Sequence, residues 1–481
     1  MIKEETAPSL LLSWPTAGRR QSLLKSIEGF ARNFAEYGQD APLLVAFDDD
    51  LRDLSPALAA PLAALSRSLA KPLLIADKAV RLRFLESLPP HIDKESASYA
   101  LLPESGSPQG SRGPGLNRNF THLAAAGGFL ISTDDDVFYF PAAGSGRELP
   151  PVFSTAEYPV MPHYFSDRAS LLPAVHDFPQ DIISSHLKFL GRTAGEICPE
   201  TVSEKAASGV ICLTSPGTYG DSGFSRARGV LSHEGAGRLR IIEAPYERVR
   251  YSREVIRIPE RDSVSASLNF MAMQSGYDLR DCLPPFLPYV GNEDGLFALL
   301  VRVCRPDSLT AYPSFGLLHD SPGKGSYRRE SLTGFKPHIS ELFMAASLAC
   351  IPDASIKETR RRMVSLGQNF VDLANANTGD FVEVLHGAWL QGAMNHAAHL
   401  EELLEKHDKQ PSLWAADVEE HLENIYTLIR EPVMLFAETG CGFTVEQCVR
   451  NLERYGNLLM IWPDIHDFAV GNPILPLARS I

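Results

Sequence analysis

Apolar and polar positions along the first 135 residues alternate between two periods, and together they predict βα units. Residues 9–14 form a short apolar run that predicts a first strand, followed by a small and polar turn at Pro15-Thr16-Ala17-Gly18. Leu23, Ile27, Phe30 and Phe34 then recur at three- and four-residue spacing, which places them on one face of a helix that Gly38 can terminate. Residues 42–47 and 71–76 predict a second and a third strand, ending in Asp48-Asp49-Asp50 and in Asp77. Residues 103–115, rich in Gly, Ser and Pro, predict a loop; a helix over residues 116–126 and a buried strand over 127–133 follow, and that strand runs into Asp134-Asp135-Asp136.

Further along, the period is lost. Residues 150–215 carry several prolines and no clear repeat, and residues 239–259 alternate enough to suggest a β-hairpin or ribbon. After about residue 335 the helical period returns. Met363, Leu366, Phe370 and Leu373 share one face, and Trp414, Val418, Leu422, Ile425 and Ile429 share another. Two domains are expected, 1–335 of α/β type and 336–481 as a mostly α-helical module.

Composition narrows the function. The 481 residues carry 45 Lys and Arg against 59 Asp and Glu, a formal charge of −14, which argues against a general nucleic-acid binder. No apolar run is long enough for a membrane span. The first 15 residues read as no export signal, and seven scattered cysteines without a CxxC pair fit a reducing compartment, so a cytoplasmic location is expected. Cys441 and Cys448, seven apart near a Gly-containing turn, read as free thiols.

The candidate chemistry is acidic. Carboxylates two positions apart at a strand end can reach a hard divalent cation, and such a cation can bridge the phosphates of a nucleotide. Upstream, Gly113-Pro-Gly-Leu-Asn-Arg-Asn119 offers a helix opening and the planar charged fork of Arg118. Downstream, Gly291-Asn-Glu-Asp-Gly295 sets Glu293 and Asp294 ahead of an apolar helix, and His319 precedes the basic, glycine-containing Ser321-Pro-Gly-Lys-Gly-Ser-Tyr-Arg-Arg329. Ser215-Pro-Gly-Thr-Tyr-Gly-Asp-Ser-Gly223 lacks the Gly-Lys-Ser/Thr ending of a phosphate loop and reads as a surface turn. His396 and His399 share a helical face and read as packing or surface residues. A phosphatase with an Asp nucleophile would need Thr or Val where Phe138 stands.

In their order, these features resemble the glycosyltransferases of the GT-A fold, with the family-two type and its relatives nearest in pattern. The resemblance spans roughly residues 8–335 and leaves the helical module unassigned. It implies a Rossmann-like nucleotide-sugar-binding domain with an irregular insertion at about residues 140–260. By position it implies that Asp134, Asp136 and His319 hold Mn²⁺ or Mg²⁺. It implies further that Asp48, Asp77, Arg118, Asp134 and Asp135 contact the donor, and that Asp294 is the catalytic base of an inverting transfer. The divalent ion together with Lys324, Arg328 or Arg329 is expected to neutralise the leaving diphosphate. The donor is expected to be a nucleotide sugar, UDP by default, and the acceptor a glycan, a peptide or a small molecule. The helical module could pair two copies of the chain. A second reading is a non-catalytic nucleotide-sugar or carbohydrate-binding protein of the same fold, although a pure binder has no use for a base.

Overall fold

The computed structural model describes the chain except residues 1–8, 17–19, 48–55, 70–71, 104–112, 157–158, 225, 235–237, 239–244, 290, 322, 336–337 and 431–442. It is a mixed α/β structure with a large mixed sheet and many helices.

Parallel strands form one side of the large sheet. They are β1 (Leu10–Thr16), β2 (Leu43–Phe47), β3 (Leu73–Ala76) and β4 (Phe129–Thr133), each an uninterrupted or nearly uninterrupted apolar run because helices cover both faces. β1 continues through Pro15 to Thr16, so part of the expected turn is strand. The Arg20–Glu36 helix buries Leu23, Ile27, Phe30 and Phe34 as its period predicts. Its Ser26 accepts a hydrogen bond from the Trp14 indole at 3.1 Å and donates to the Val137 carbonyl at 2.7 Å, tying helix, β1 and the chain beyond β4 together.

The middle of the chain is built into both sheets. It supplies β5 (Val137–Ala143), β6 (Val152–Ser154), β7 (His163–Tyr164), β8 (Val210–Thr214), β9 (Gly217–Asp221) and β10 (Glu254–Arg257). β11 (Ser263–Ser265), β12 (Gln274–Asp278), β13 (Ser308–Tyr312), β14 (Phe315–His319) and the short β15 (Arg479–Ser480) complete the set. The ten-stranded sheet runs β15-β3-β2-β1-β4-β12-β8-β13-β11-β6, and a five-stranded sheet runs β5-β14-β9-β10-β7.

Two expectations are corrected here. In place of a ribbon over residues 239–259, the described part holds a single helical turn, Tyr246–Val249, and the one strand β10, whose partners β9 and β7 come from elsewhere in the chain. The segment read as a surface turn at residues 215–223 contains β9, buried along its whole length. Its glycines serve close approach: a Cβ at Gly217 would overlap the Arg257 carbonyl, and Gly220 sits at φ +101° against the His319 carbonyl.

The C-terminal helices, Ile339–Ala349, Thr359–Ala374, Thr378–Lys406, Ser412–Arg430 and Val445–Gly471, share one continuous core with the sheet. Met363, Leu366 and Phe370 are fully buried, as are Trp414, Val418 and Ile425. Thr359–Ala374 and Val445–Gly471 cross at Gly367 and Gly456, where a Cβ on either would overlap the other's carbonyl oxygen. Polar bonds pin this layer to the α/β part: Trp462 donates to the Leu283 carbonyl at 2.9 Å, Tyr455 to that of Pro285 at 2.5 Å, and Trp414 to that of Leu231 at 3.1 Å. Each satisfies a polar atom that burial would otherwise penalise. Cys448 is buried, and Cys441 lies outside the described residues.

Candidate active site

Because β1 to β4 are parallel, their carboxyl ends lie along one edge of the sheet, where open α/β sheets bind ligands. β12 runs antiparallel beside β4, with Gln274 opposite Thr133, so residues 269–273 enter at the same edge. The chain leaves β4 through Asp134-Asp135-Asp136 and enters β5 at Val137, directly paired with His319 at the end of β14. This register brings the late histidine to the acidic triplet.

The three aspartates point different ways. Asp135 turns inward, 3% exposed, and accepts from the Thr16 hydroxyl at 2.5 Å; the Thr16 carbonyl in turn accepts from Asn117 at 3.2 Å. Asp134 faces Arg118, which donates to both its oxygens at 3.0 and 3.2 Å. Asp136 accepts from the Ser321 hydroxyl at 2.7 Å, and its other oxygen lies 3.4 Å from His319 Nε2.

His319 is buried and held from behind. Its Nδ1 lies 2.7 Å from the Asp221 carbonyl oxygen, which can only accept, so the proton belongs on Nδ1. That leaves Nε2 facing both the Ser321 hydroxyl at 3.1 Å and the Asp136 carboxylate at 3.4 Å. Burial opposes protonation, yet Asp136 and Asp221 together raise the His319 pKa above its ordinary value. Asp221 is itself gripped by Arg253 through bonds of 2.6 and 2.8 Å and by the Gly223 amide at 2.8 Å. Burial works against its charge, but these bonds hold its carboxyl below the usual range.

Arg118 joins the triplet to the 291–295 turn. Besides Asp134 it donates to Glu293 at 3.2 Å and to the Ala272 carbonyl at 3.0 Å. Burial disfavours its charge, but Asp134 and Glu293 raise its pKa nonetheless. The glycines ahead of it serve packing, since a Cβ at Gly113 or Gly115 would overlap the backbone of Leu287 and Pro288. Glu293 is buried, and that burial pushes its carboxyl up to about 7 despite Arg118. Asp294 is half-buried and accepts from the Gly295 amide at 2.9 Å and the Ala272 amide at 3.4 Å.

A pH prediction follows from Glu293. A carboxyl whose folded pKa exceeds its unfolded value contributes stability that is complete below the unfolded value, near 4.5, and is lost as pH rises through about 7. The wild type should therefore lose stability relative to Glu293→Gln between pH 5 and pH 8, about the window its pKa defines. Urea denaturation of both proteins across that range checks it; a stability difference independent of pH would contradict it.

The remaining expected residues make no bond to this cluster among the described residues, or lie outside them. Asp48 is among the latter. Asp77 caps the Lys78–Ser87 helix, accepting from the Val80 amide at 3.1 Å, and bonds Arg479 of β15. Lys324 and Arg328 are exposed on the segment after Ser321, with no ion pair among the described residues, whereas neighbouring Arg329 pairs with Glu420. His396 is half-buried against His421. Thr16, Asp221, Arg253 and Ser321, which complete the cluster, were not singled out by sequence reasoning.

Among the described residues, no group of three His, Cys, Asp or Glu side chains is arranged to hold a metal ion. The donor chemistry of Asp136 and His319 nonetheless suits a cation that draws its other ligands from substrate and water. No helix among the described residues is long and apolar enough to cross a membrane.

No protein-family model matches the chain, and comparison with curated proteins gives no match. Among solved structures, the crystal structure of S. aureus TarS 1-349 matches at 13% identity over 88% of this chain and 92% of that one, with a TM-score of 0.28. At that level the likeness carries no argument, and the functional reading rests on the residues of the site.

Proposed function

We propose that the protein is a glycosyltransferase of GT-A type that moves a sugar from a nucleotide diphosphate, UDP by default, to an acceptor hydroxyl with inversion. The observation that carries this reading is the meeting of Asp136 with His319 across two sheets, one Arg118 side chain away from Glu293 and Asp294. Asp136 and His319 would hold Mn²⁺ or Mg²⁺. The bound cation supplies charge neutralisation of the leaving diphosphate.

The protein's own residues have separable tasks. Asp221 and Ser321 orient His319 and Asp136, and Arg118 fixes Asp134 and the 291–295 turn relative to one another. Lys324 and Arg328, exposed on the segment after Ser321, offer cations to the diphosphate. Asp294 accepts the acceptor's proton; it is preferred over Glu293 because Glu293 is buried and spent on Arg118.

Incubation with UDP-, GDP- and dTDP-hexoses in Mn²⁺ tests the reading through nucleoside diphosphate release, with water as a slow acceptor. One of the three should be consumed in a metal-dependent way, with inverted configuration in the sugar product. Retained configuration would contradict inversion. Nucleotide binding without turnover of any of the three would favour the non-catalytic binder.

A further inference from the structure

A second polar cluster lies between the loop after β9 and the C-terminal helices, and it shares no residue with the acidic site. Arg228 donates to Glu341 Oε1 at 3.0 Å, and Arg226 Nη1 stands 3.7 Å from the same oxygen, so two guanidinium groups divide one carboxylate. The Nη1 of each arginine is buried and has no hydrogen-bond acceptor among the described residues. Buried charged donors left without an acceptor are costly, and a native structure seldom keeps two side by side without use for them.

Among the described residues, the one other carboxylate bonded nearby, Glu420 on the Thr333 hydroxyl, is already paired with Arg329. Phe335 lies under Arg228 at 5.4 Å and packs on Trp389. His421 donates Nδ1–H to the Thr333 carbonyl at 2.8 Å, which leaves its Nε2 to face that of His396 at 3.4 Å. Burial and the two arginines push His421 down to about 4, and burial with His421 does the same to His396. His338, half-buried beside Gly291, is shifted down as well. With the three imidazoles neutral, two arginines against one glutamate leave the cluster with a net positive charge.

We propose that Arg226 and Arg228, rimmed by His338 and His396, form a binding site for the phosphate group of a small soluble phosphate ester. Two guanidinium forks converging on one point suit a tetrahedral oxyanion with several acceptor oxygens better than a single carboxylate, which exhausts its oxygens on one fork. Glu341 is then the internal competitor that the phosphate displaces. The site is independent of the glycosyltransferase reading.

Calorimetric titration of inorganic phosphate into the full-length protein, in EDTA at pH 7.5 and constant ionic strength, tests the proposal; with divalent ions removed, the acidic site repels phosphate. Saturable one-site binding is expected, weakened at least about tenfold when Arg226→Gln and Arg228→Gln are combined. Glu341→Gln should bind more tightly, the opposite of what loss of a merely structural ion pair would give. Near-ultraviolet circular dichroism reports whether the double variant folds; if it does not, Arg226→Gln alone and Glu341→Gln decide. Absence of saturable binding, equal affinity in the arginine variants, weaker binding by Glu341→Gln, or acetate binding as tightly as phosphate would each overturn the proposal.

Discussion

Replacing Asp294 by Asn should lower kcat by about 10²–10⁴-fold, the usual contribution of a positioned general base, while leaving donor-nucleotide affinity unchanged. Asn keeps an oxygen for the amide of Gly295 or Ala272, so the turn retains its anchor and only the proton acceptor is lost. The measurement is steady-state kinetics with the nucleotide sugar that the release assay identifies, paired with a nucleotide titration. Full activity in Asp294→Asn together with its loss in Glu293→Gln would move the base to Glu293 and contradict the assignment.

Arg118→Leu should be the most destabilising single change at the site. It strands Asp134 and the buried Glu293 without their shared partner, and removing one member of a buried ionic group typically costs about 3–5 kcal/mol. Combining it with Glu293→Gln should recover part of the loss, because the uncompensated buried charge is then gone. Urea denaturation at pH 8, where Glu293 is mostly ionised, reads both. A loss below about 1 kcal/mol, or no recovery in the double variant, would show that Arg118 does not balance these carboxylates.

How much of this was legible in the sequence depended on whether a physical pattern repeated. β1 to β4 and their helices announced themselves, since a strand covered on both faces must be apolar and a covered helix must show the 3.6-residue stripe; the observed burial of Leu23, Ile27, Phe30 and Phe34 follows. The C-terminal helices were legible for the same reason, but not their merger with the α/β core, because a stripe says that a face is covered and not by what. The second sheet was hidden. β7 has two residues and β6 three, too few to show a period, and β9 reads Gly-Thr-Tyr-Gly-Asp, a turn-like composition dictated by close approach to β10 and β14.

That sheet carries Asp221 and His319 at the ends of β9 and β14, so Asp221, which holds His319, was missed with it. One signal could have found it: a five-residue segment ending in Asp soon after the apolar strand Val210–Thr214, the same strand-then-carboxylate order seen at β4. Thr16 and Ser321 gave no signal, being single hydroxyls whose partners lie 119 and 185 residues away. Arg118 was noticed, but its loop suggested a ligand contact, whereas the structure buries it among protein partners.

The central claim is that the carboxyl end of β4 and its histidine form a cation-dependent nucleotide diphosphate site. Calorimetric titration of UDP, GDP and dTDP, with and without Mn²⁺, into wild type and Asp136→Ala tests it most directly. The account predicts that one nucleotide binds only when the metal is present and that Asp136→Ala abolishes this binding. Binding that is indifferent to metal and to the substitution, or no binding of any of the three, would contradict it.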